Sequence, residues 1–461
     1  MTSSPSRSDR LGALPYTRRH TRLLVGSGAG WALDAMDVGL ISFVIVVLAQ
    51  QWGLTTSERS WIVTIGFIGM AVGATLGGRL ADRFGRRAVF AATLVVYGLA
   101  TGASALVGGL ALFLVLRFFV GLGLGAELPV ASTLVSELSP TRIRGRLVVV
   151  LESFWALGWI LAAVIGFYVV PRGDDGWRWG LALGLVPAVY AVVVRLGLPE
   201  SAVWLERRGR HDEAEQVVRG FEDSAGVAPA TPMTKGEPAA VAGTGPTVPA
   251  PGPTAAAPGP TAAAPGLWSG ALRRRTLGIW LVWFGVNFAY YGAFLWIPSL
   301  LVARGHDVTT SFGYTLIITL AQLPGYALAA VLVEVWGRRS TLAVFLIGSA
   351  IAAWFFGQSD SPTSIIVAGS ALSFCNLGAW GALYAITPEI YPTTVRGSGA
   401  GAAAGFGRLA SIAAPLTVPV LLERGGADGD VVVFSLFAVA FVVAAAAAFL
   451  LPETRGRELP D

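Results

Sequence analysis

The chain has 461 residues, 54% of them hydrophobic and only 13% charged, with a mean hydropathy of +0.65. A soluble domain carries about 25% charged residues, so this composition excludes a soluble globular fold and places the chain among polytopic membrane proteins. The apolar runs are helix-length rather than short and alternating, which excludes a β-barrel. The formal net charge of +5 does not indicate nucleic acid, because the arginines cluster between apolar runs, where they orient helices.

Twelve runs are expected to span the bilayer, at about 22–50, 60–80, 88–107, 109–137, 145–170, 177–198, 276–303, 309–335, 340–358, 362–387, 396–421 and 430–452. The polar, Arg-bearing tail at 1–21 shows no cleavable signal, so the first run directs insertion. Within that run lies WALDAMDVGLIS at 31–42, and from Leu23 to Ser57 the only charges are Asp34 and Asp37. Each costs roughly 2.5–3.5 kcal/mol near a helix centre on insertion scales. Three residues apart, they share a helix face and are expected within reach of one partner or one cavity.

Arginine then marks alternate connections. Arg79, Arg83, Arg86 and Arg87 follow run two, Arg142, Arg144 and Arg146 follow run four, and Arg338, Arg339 and Arg396 continue the series. The positive-inside rule places both termini and the long central loop in the cytoplasm. That loop, 199–275, separates a six-helix half at 22–198 from another at 276–452, with a short tail at 453–461. Its first part has helical character. From about Asp223 to Gly266 it turns to Ala, Pro, Gly and Thr, with PGPTAAA twice in succession, and reads as a disordered tether. Cys375 is the single cysteine, so no intrachain disulfide is possible.

The second half repeats landmarks of the first. FGRR at 84–87 returns as WGRR at 336–339, and SELSPTRIRG at 136–145 as PEIYPTTVRG at 388–397, both displaced by 252 residues. LPES at 198–201 returns as LPET at 451–454. Two like halves in parallel imply a central cavity whose access alternates from side to side.

GGRLADRFGRR at 77–87, Arg117 with GLGLGAELPV, SELSPTRIRGR, LPES, PEIYPTTVRG and LPETRGR together resemble the major facilitator superfamily, in the set that holds sugar porters and organic-ion transporters. DAMD within WALDAMDVGLISF looks most like the niacin and aromatic-acid:proton symporter branch. The resemblance implies an all-α fold of twelve transmembrane helices. It also implies a gating role for the loop charges and their neighbours: Gly78, Asp82, Arg86, Arg87, Arg117, Glu137 and Arg144, then Glu334, Arg338, Glu389 and Arg396. Gly77, Gly78 and Gly85 are expected to allow close backbone approach. Helix seven, LVWFGVNFAYYGAF, lacks the paired glutamines of sugar porters, which argues against a hexose site.

Counting about 1.5 Å of rise per residue, Asp34, Asp37, Glu127 and Arg408 all fall near the bilayer midplane, with Glu152 nearer the cytoplasm. Four carboxylates, Asp34, Asp37, Glu127 and Glu152, face two guanidiniums, Arg117 and Arg408. Burial disfavours the charged form of an unpaired carboxylate, so these four are the proton-coupling candidates, Asp37 and Glu127 first. Arg408 needs an anion: either a ligand carboxylate, or a permanent pair with Asp34, Asp37 or Glu127. Asn287, Tyr290, Tyr291, Asn376, Trp380, Tyr384 and Trp155 are candidates to hold a flat ring with one polar edge.

The expected function is proton-coupled uptake of a small aromatic carboxylate, nicotinate first and benzoates next. Organic-cation export by proton exchange, sugar-porter-like uptake of a polar metabolite and a non-transporting membrane sensor are the rivals. The expected partners are substrate, protons and the bilayer, with no nucleic acid, cofactor or metal, for a chain acting as a monomer. No metal-ligand cluster, nucleophile elbow or phosphate loop points to an enzyme.

Overall fold

A computed structural model describes residues 6–227, 266–270, 272–392 and 395–455. Among them, twelve helices are long and apolar enough to cross a membrane. They are α1 (Arg18–Trp52), α2 (Thr56–Phe84), α3 (Arg86–Ser104), α4 (Leu110–Glu137), α5 (Arg144–Tyr168), α6 (Gly176–Gly197), α7 (Arg273–Phe294), α8 (Val308–Val335), α9 (Arg338–Gly357), α10 (Pro362–Glu389), α11 (Arg396–Gly425) and α12 (Gly429–Ala448).

Three runs expected to be continuous are broken, each beside a proline, which cannot donate a backbone hydrogen bond. The sixth splits into Gly176–Ala182 and Leu185–Gly197 with Pro187 in the second piece. After the seventh, a short helix Ile297–Ala303 holds Pro298 in its first turn. The eighth splits into Val308–Leu320 and Gln322–Val335 with Pro324 near the start of the second piece.

The duplication governs the packing. In the first half α2 packs on α4, α1 on α5 and α3 on α6, and in the second α8 packs on α10, α7 on α11 and α9 on α12. A Cβ at Gly73 on α2 would lie 2.1 Å from the Leu122 carbonyl on α4, and one at Gly325 on α8 would lie 2.2 Å from the Phe374 carbonyl on α10. Both pairs of positions are 252 residues apart. Small residues let backbones approach closely where no hydrophobic force between helices operates.

An even number of spans puts both termini on one face, called here the terminal face. There each half carries the same clasp. Gly85 and Gly337 both sit at φ 100°, between α2 and α3 and between α8 and α9. The Glu200 carboxylate accepts the backbone N–H of Arg86 at 2.8 Å and of Arg87 at 3.1 Å, capping α3. Glu453 accepts those of Arg338 at 2.9 Å and Ser340 at 3.4 Å, capping α9. Arg86 reaches Asp82 at 3.0 Å and Glu137 at 3.5 Å, and Arg338 reaches Glu334 at 3.5 Å and Glu389 at 3.1 Å. Ser201 donates to Glu137, and Thr454 to Glu389.

The start of the central loop forms helices Ala202–Arg207 and His211–Ala225, the second running through Asp223, where the tether was expected to begin. Most of the expected tether lies outside the described residues. The N-terminal tail contributes a helix, Arg7–Ala13, which packs on His211–Ala225.

The halves meet mainly through α2 against α11 and α5 against α8. At the face opposite the termini, Ser60 Oγ donates to the Pro415 carbonyl at 2.5 Å, and the rings of Phe43 and Phe312 lie 5.0 Å apart. The named clasps of the terminal face each stay within one half. The Ser60–Pro415 and Phe43–Phe312 contacts tie the halves together at the far face.

Candidate functional site

At the centre the four carboxylates take three separate positions. Asp37 Oδ2 lies 3.2 Å from Arg117 Nη1, and Oδ1 accepts the Thr101 hydroxyl at 2.6 Å. Asp34 turns instead toward Glu127 on α4 and Tyr97 on α3. All four carboxylate oxygens of Asp34 and Glu127 are buried without a hydrogen-bond donor among the described residues. Glu127 Oε1 presses against α1, 2.8 Å from where a Cβ on Gly30 would stand. Asp34 and Asp37, expected within reach of one partner or one cavity, thus take different partners. Three residues of helix turn one side chain about 60° from the other and raise it about 4.5 Å, enough to send them to different neighbours.

Glu152 on α5 is buried in a cage of rings, 1% exposed, facing Tyr384, Trp31 and Arg408. The Trp31 and Trp155 rings are 4.8 Å apart. Trp155 Nε1 donates to the Tyr290 hydroxyl at 3.1 Å, joining the two halves. Tyr290 lies 5.1 Å from Tyr291, 5.3 Å from Trp380 and 5.5 Å from Trp159 between ring centroids. Tyr384 closes the ring against Trp283 at 5.2 Å. Arg408 stands beside Tyr291, and its Nη1 is buried without a partner. No carboxylate lies within ion-pair distance of it among the described residues, so the permanent pair with Asp34, Asp37 or Glu127 is absent here; Asp37 has Arg117 instead. Arg408 and Tyr384 are only half-buried, so the cage is least closed past them.

Several expected site residues take other places. Asn287 Nδ2 donates to the Trp283 carbonyl at 2.7 Å, and its Oδ1 accepts Ser411 Oγ at 3.1 Å. Its amide ties α7 to α11, so it is a packing residue rather than a free contact for substrate. A Cβ at Gly78 would meet nothing within 4 Å, so the close approach expected there is made only by its neighbour Gly77, 2.6 Å from the Ala126 Cβ, and by Gly85 against Glu200. Arg144 donates to the Ser139 carbonyl at 3.5 Å, and Arg396 Nε to the Tyr391 carbonyl at 3.3 Å. Asn376 is fully buried with both amide atoms unpartnered.

The structure adds residues that the sequence reading passed over. Glu200 and Glu453 cap helices, and the LPES and LPET repeats were their signal. Gln322, buried beside the Tyr290 hydroxyl with neither amide atom bonded, and Tyr326, with an unpartnered hydroxyl, also face the cage. A glutamine inside an apolar run was the signal for the first.

Two duplicated six-helix halves enclosing polar side chains at mid-depth are the architecture of an alternating-access carrier. Residues 21–461 match the family described as "Sugar (and other) transporter". The chain belongs to that family. It is a multi-pass membrane transporter of the major facilitator superfamily with a small-molecule substrate. It is 47% identical over 451 residues to the niacin transporter NiaP of Acinetobacter baylyi, covering 98% of each chain. It is 42% identical to the putative niacin/nicotinamide transporter NiaP of Bacillus subtilis, covering 96% of this chain and 98% of that one. Among solved structures, the partially occluded inward-open xylose transporter XylE from E. coli superposes with a TM-score of 0.72 at 19% identity, over 96% of this chain and all of the other.

Proposed function

We propose that this transporter is a proton-coupled symporter that brings nicotinate, or a close aromatic monocarboxylate, into the cell. One observation carries the reading: Arg408 presents a buried, unpartnered Nη1 into a cage of tyrosines and tryptophans. A guanidinium does not lose its proton, and its planar fork matches a carboxylate. The surrounding rings stack on a flat substrate. The two relatives named for niacin agree with this chemistry.

The proton belongs to Asp34 and Glu127. Two buried carboxylates in contact, with no cation beside them among the described residues, do not both stay ionised, so the pair is suited to hold a proton between them. Asp37 is anchored instead by Arg117 and Thr101. The helix that carries Asp34 also carries Trp31, one turn earlier, into the cage wall against Trp155. Loading the pair and filling the cage therefore act on the same helix. Anion and proton bind when the cage opens to the outside, the halves rock, and both leave at the terminal face. That face, with both termini, is the cytoplasmic one, a reading that the arginine-rich connections support. Each chain contains both halves of the cage and acts as a monomer in the cell membrane, moving its substrate unaltered and without a cofactor.

Proteoliposomes test this. An inward proton gradient should accelerate uptake of labelled nicotinate, and Arg408→Ala should abolish that uptake while the protein stays folded. Uptake indifferent to the gradient, or unchanged affinity in Arg408→Ala, would overturn the reading.

A further inference from the structure

Arg408 accounts for a carboxylate but leaves the α8 side of the cage without a role. Gln322 begins the second helix of α8 and is 0% exposed, yet among the described residues neither its Oε1 nor its Nε2 makes a hydrogen bond of good geometry, the Tyr290 hydroxyl being its polar neighbour. One turn on, the Tyr326 hydroxyl is also unpartnered. Asn376, on the α10 helix that packs against α8, is 0% exposed with neither amide atom partnered among the described residues. Buried polar groups in native structures are nearly always bonded, and a cluster that is not calls for a missing partner.

The placement says what that partner is. Gln322 stands beside Tyr290, whose hydroxyl already accepts Trp155 Nε1, and Arg408 stands beside the adjoining Tyr291. An amide pole and a cationic pole thus flank one tyrosine pair. A ligand that satisfies both carries an anion at one end and a neutral acceptor in its ring at the other.

We propose that Gln322 is a specificity-determining residue. Its Nε2–H donates to the ring nitrogen of a pyridine carboxylate whose carboxylate is held by Arg408. This rests on the aromatic-carboxylate reading above and sharpens it to pyridine acids. A benzene ring offers no lone pair in that position, so benzoate leaves the buried amide as unpaired as it is without ligand. Sites built to hydrogen-bond a substrate reject analogues lacking that group more strongly than sites that only fit a shape.

The test measures binding of nicotinate and benzoate to purified wild-type protein, Gln322→Met and Gln322→Asn in detergent. Wild type should favour nicotinate by roughly 10- to 100-fold. Gln322→Met keeps the volume and removes the amide, so it should bring the ratio close to one by weakening nicotinate alone. Gln322→Asn should fall between them. Equal wild-type affinities, or a Gln322→Met change that weakens both acids alike, would overturn the role of Gln322 while leaving the carboxylate reading intact. If wild type binds neither acid, both proposals fall. Should Gln322→Met not fold, the wild-type and Gln322→Asn ratios decide.

Discussion

At the terminal face the two halves match almost group for group: a glycine at φ 100°, a glutamate capping the next helix, an arginine between two carboxylates, and a hydroxyl on the second of them. At the centre they share little. Asp34, Asp37, Glu127 and Glu152 belong to the first half, and the positions 252 residues later hold Val286, Ala289, Ala379 and Ala404. Arg408 and Gln322 belong to the second, and their counterparts are Ala156 and Met70. The repeated parts hold a frame that both halves need. On the proposed reading, the unrepeated parts divide the chemistry, with proton handling in the first half and the arginine for the anion in the second.

The largest effect should come from erasing that division. In Asp34→Asn with Glu127→Gln, the first half keeps its shape and loses its titratable pair. Gradient-driven accumulation of nicotinate should disappear, while exchange of labelled for unlabelled nicotinate across the membrane persists, because Arg408 and its cage are untouched. Loss of exchange as well would show that the pair belongs to substrate binding and that the halves do not divide the work.

Next come the close contacts that the halves share. A valine at Gly73 or Gly325 meets a backbone carbonyl, which cannot move aside as a side chain would. Overpacking of this kind costs about 1–3 kcal/mol or more. Both single variants should lose thermal stability by comparable amounts, read as a lowered Tm of the purified protein. A large loss in one and none in the other would mean that the equivalence is one of sequence and not of packing.

Much of this frame was legible beforehand, because hydropathy over twenty residues and a repeated motif are properties of the chain alone. Glu137 and Glu389, or Arg86 and Arg338, could be matched by counting. The partners of the central charges could not. Asp37 meets Arg117 across 80 positions and Asp34 meets Glu127 across 93, and only the helix rotations decide which of two neighbouring aspartates faces which helix. Asn287 looked like a contact for substrate because it sits among aromatic residues. Its amide is in fact engaged by the Trp283 carbonyl and by Ser411 on α11, a bond invisible without the fold. Gln322 was passed over for the opposite reason: an isolated polar residue in an apolar run carries little pattern.

A smaller effect separates the two clasps. At the helix starts they cap, Glu200 holds two backbone N–H groups of α3 at 2.8 and 3.1 Å, whereas Glu453 holds two of α9 at 2.9 and 3.4 Å. Losing a charged helix cap costs about 1–2 kcal/mol. Glu200→Gln should lower Tm more than Glu453→Gln. The reverse order would show that the second clasp bears more of the load despite its longer bond.

The smallest effect concerns a feature seen, among the described residues, only in the first half. The helix Arg7–Ala13 is held to His211–Ala225 by Arg10, 3.0 Å from Glu215 and 2.7 Å from Glu222, and by Arg7, 2.9 Å from Glu215. Arg10, then Arg7 and Arg219, hold the Glu215 carboxyl down to about 2 from its usual 4.5. A carboxylate with a lowered value in the folded state adds stability that is complete above about 4.5 and is lost as the pH falls toward 2. Because the pair is partly exposed, the contribution stays below about 1 kcal/mol. Spin labels at Ser8 and Asp223 should report one narrow distance from pH 7 to pH 5 and a broadening distribution below 4.5. Broadening already at pH 6 would mean that a group other than Glu215 governs the contact. A distribution still narrow at pH 2 would assign it to apolar packing around Leu11, which is buried at 1% exposure, and would remove charge from the account of how the N-terminal helix is seated.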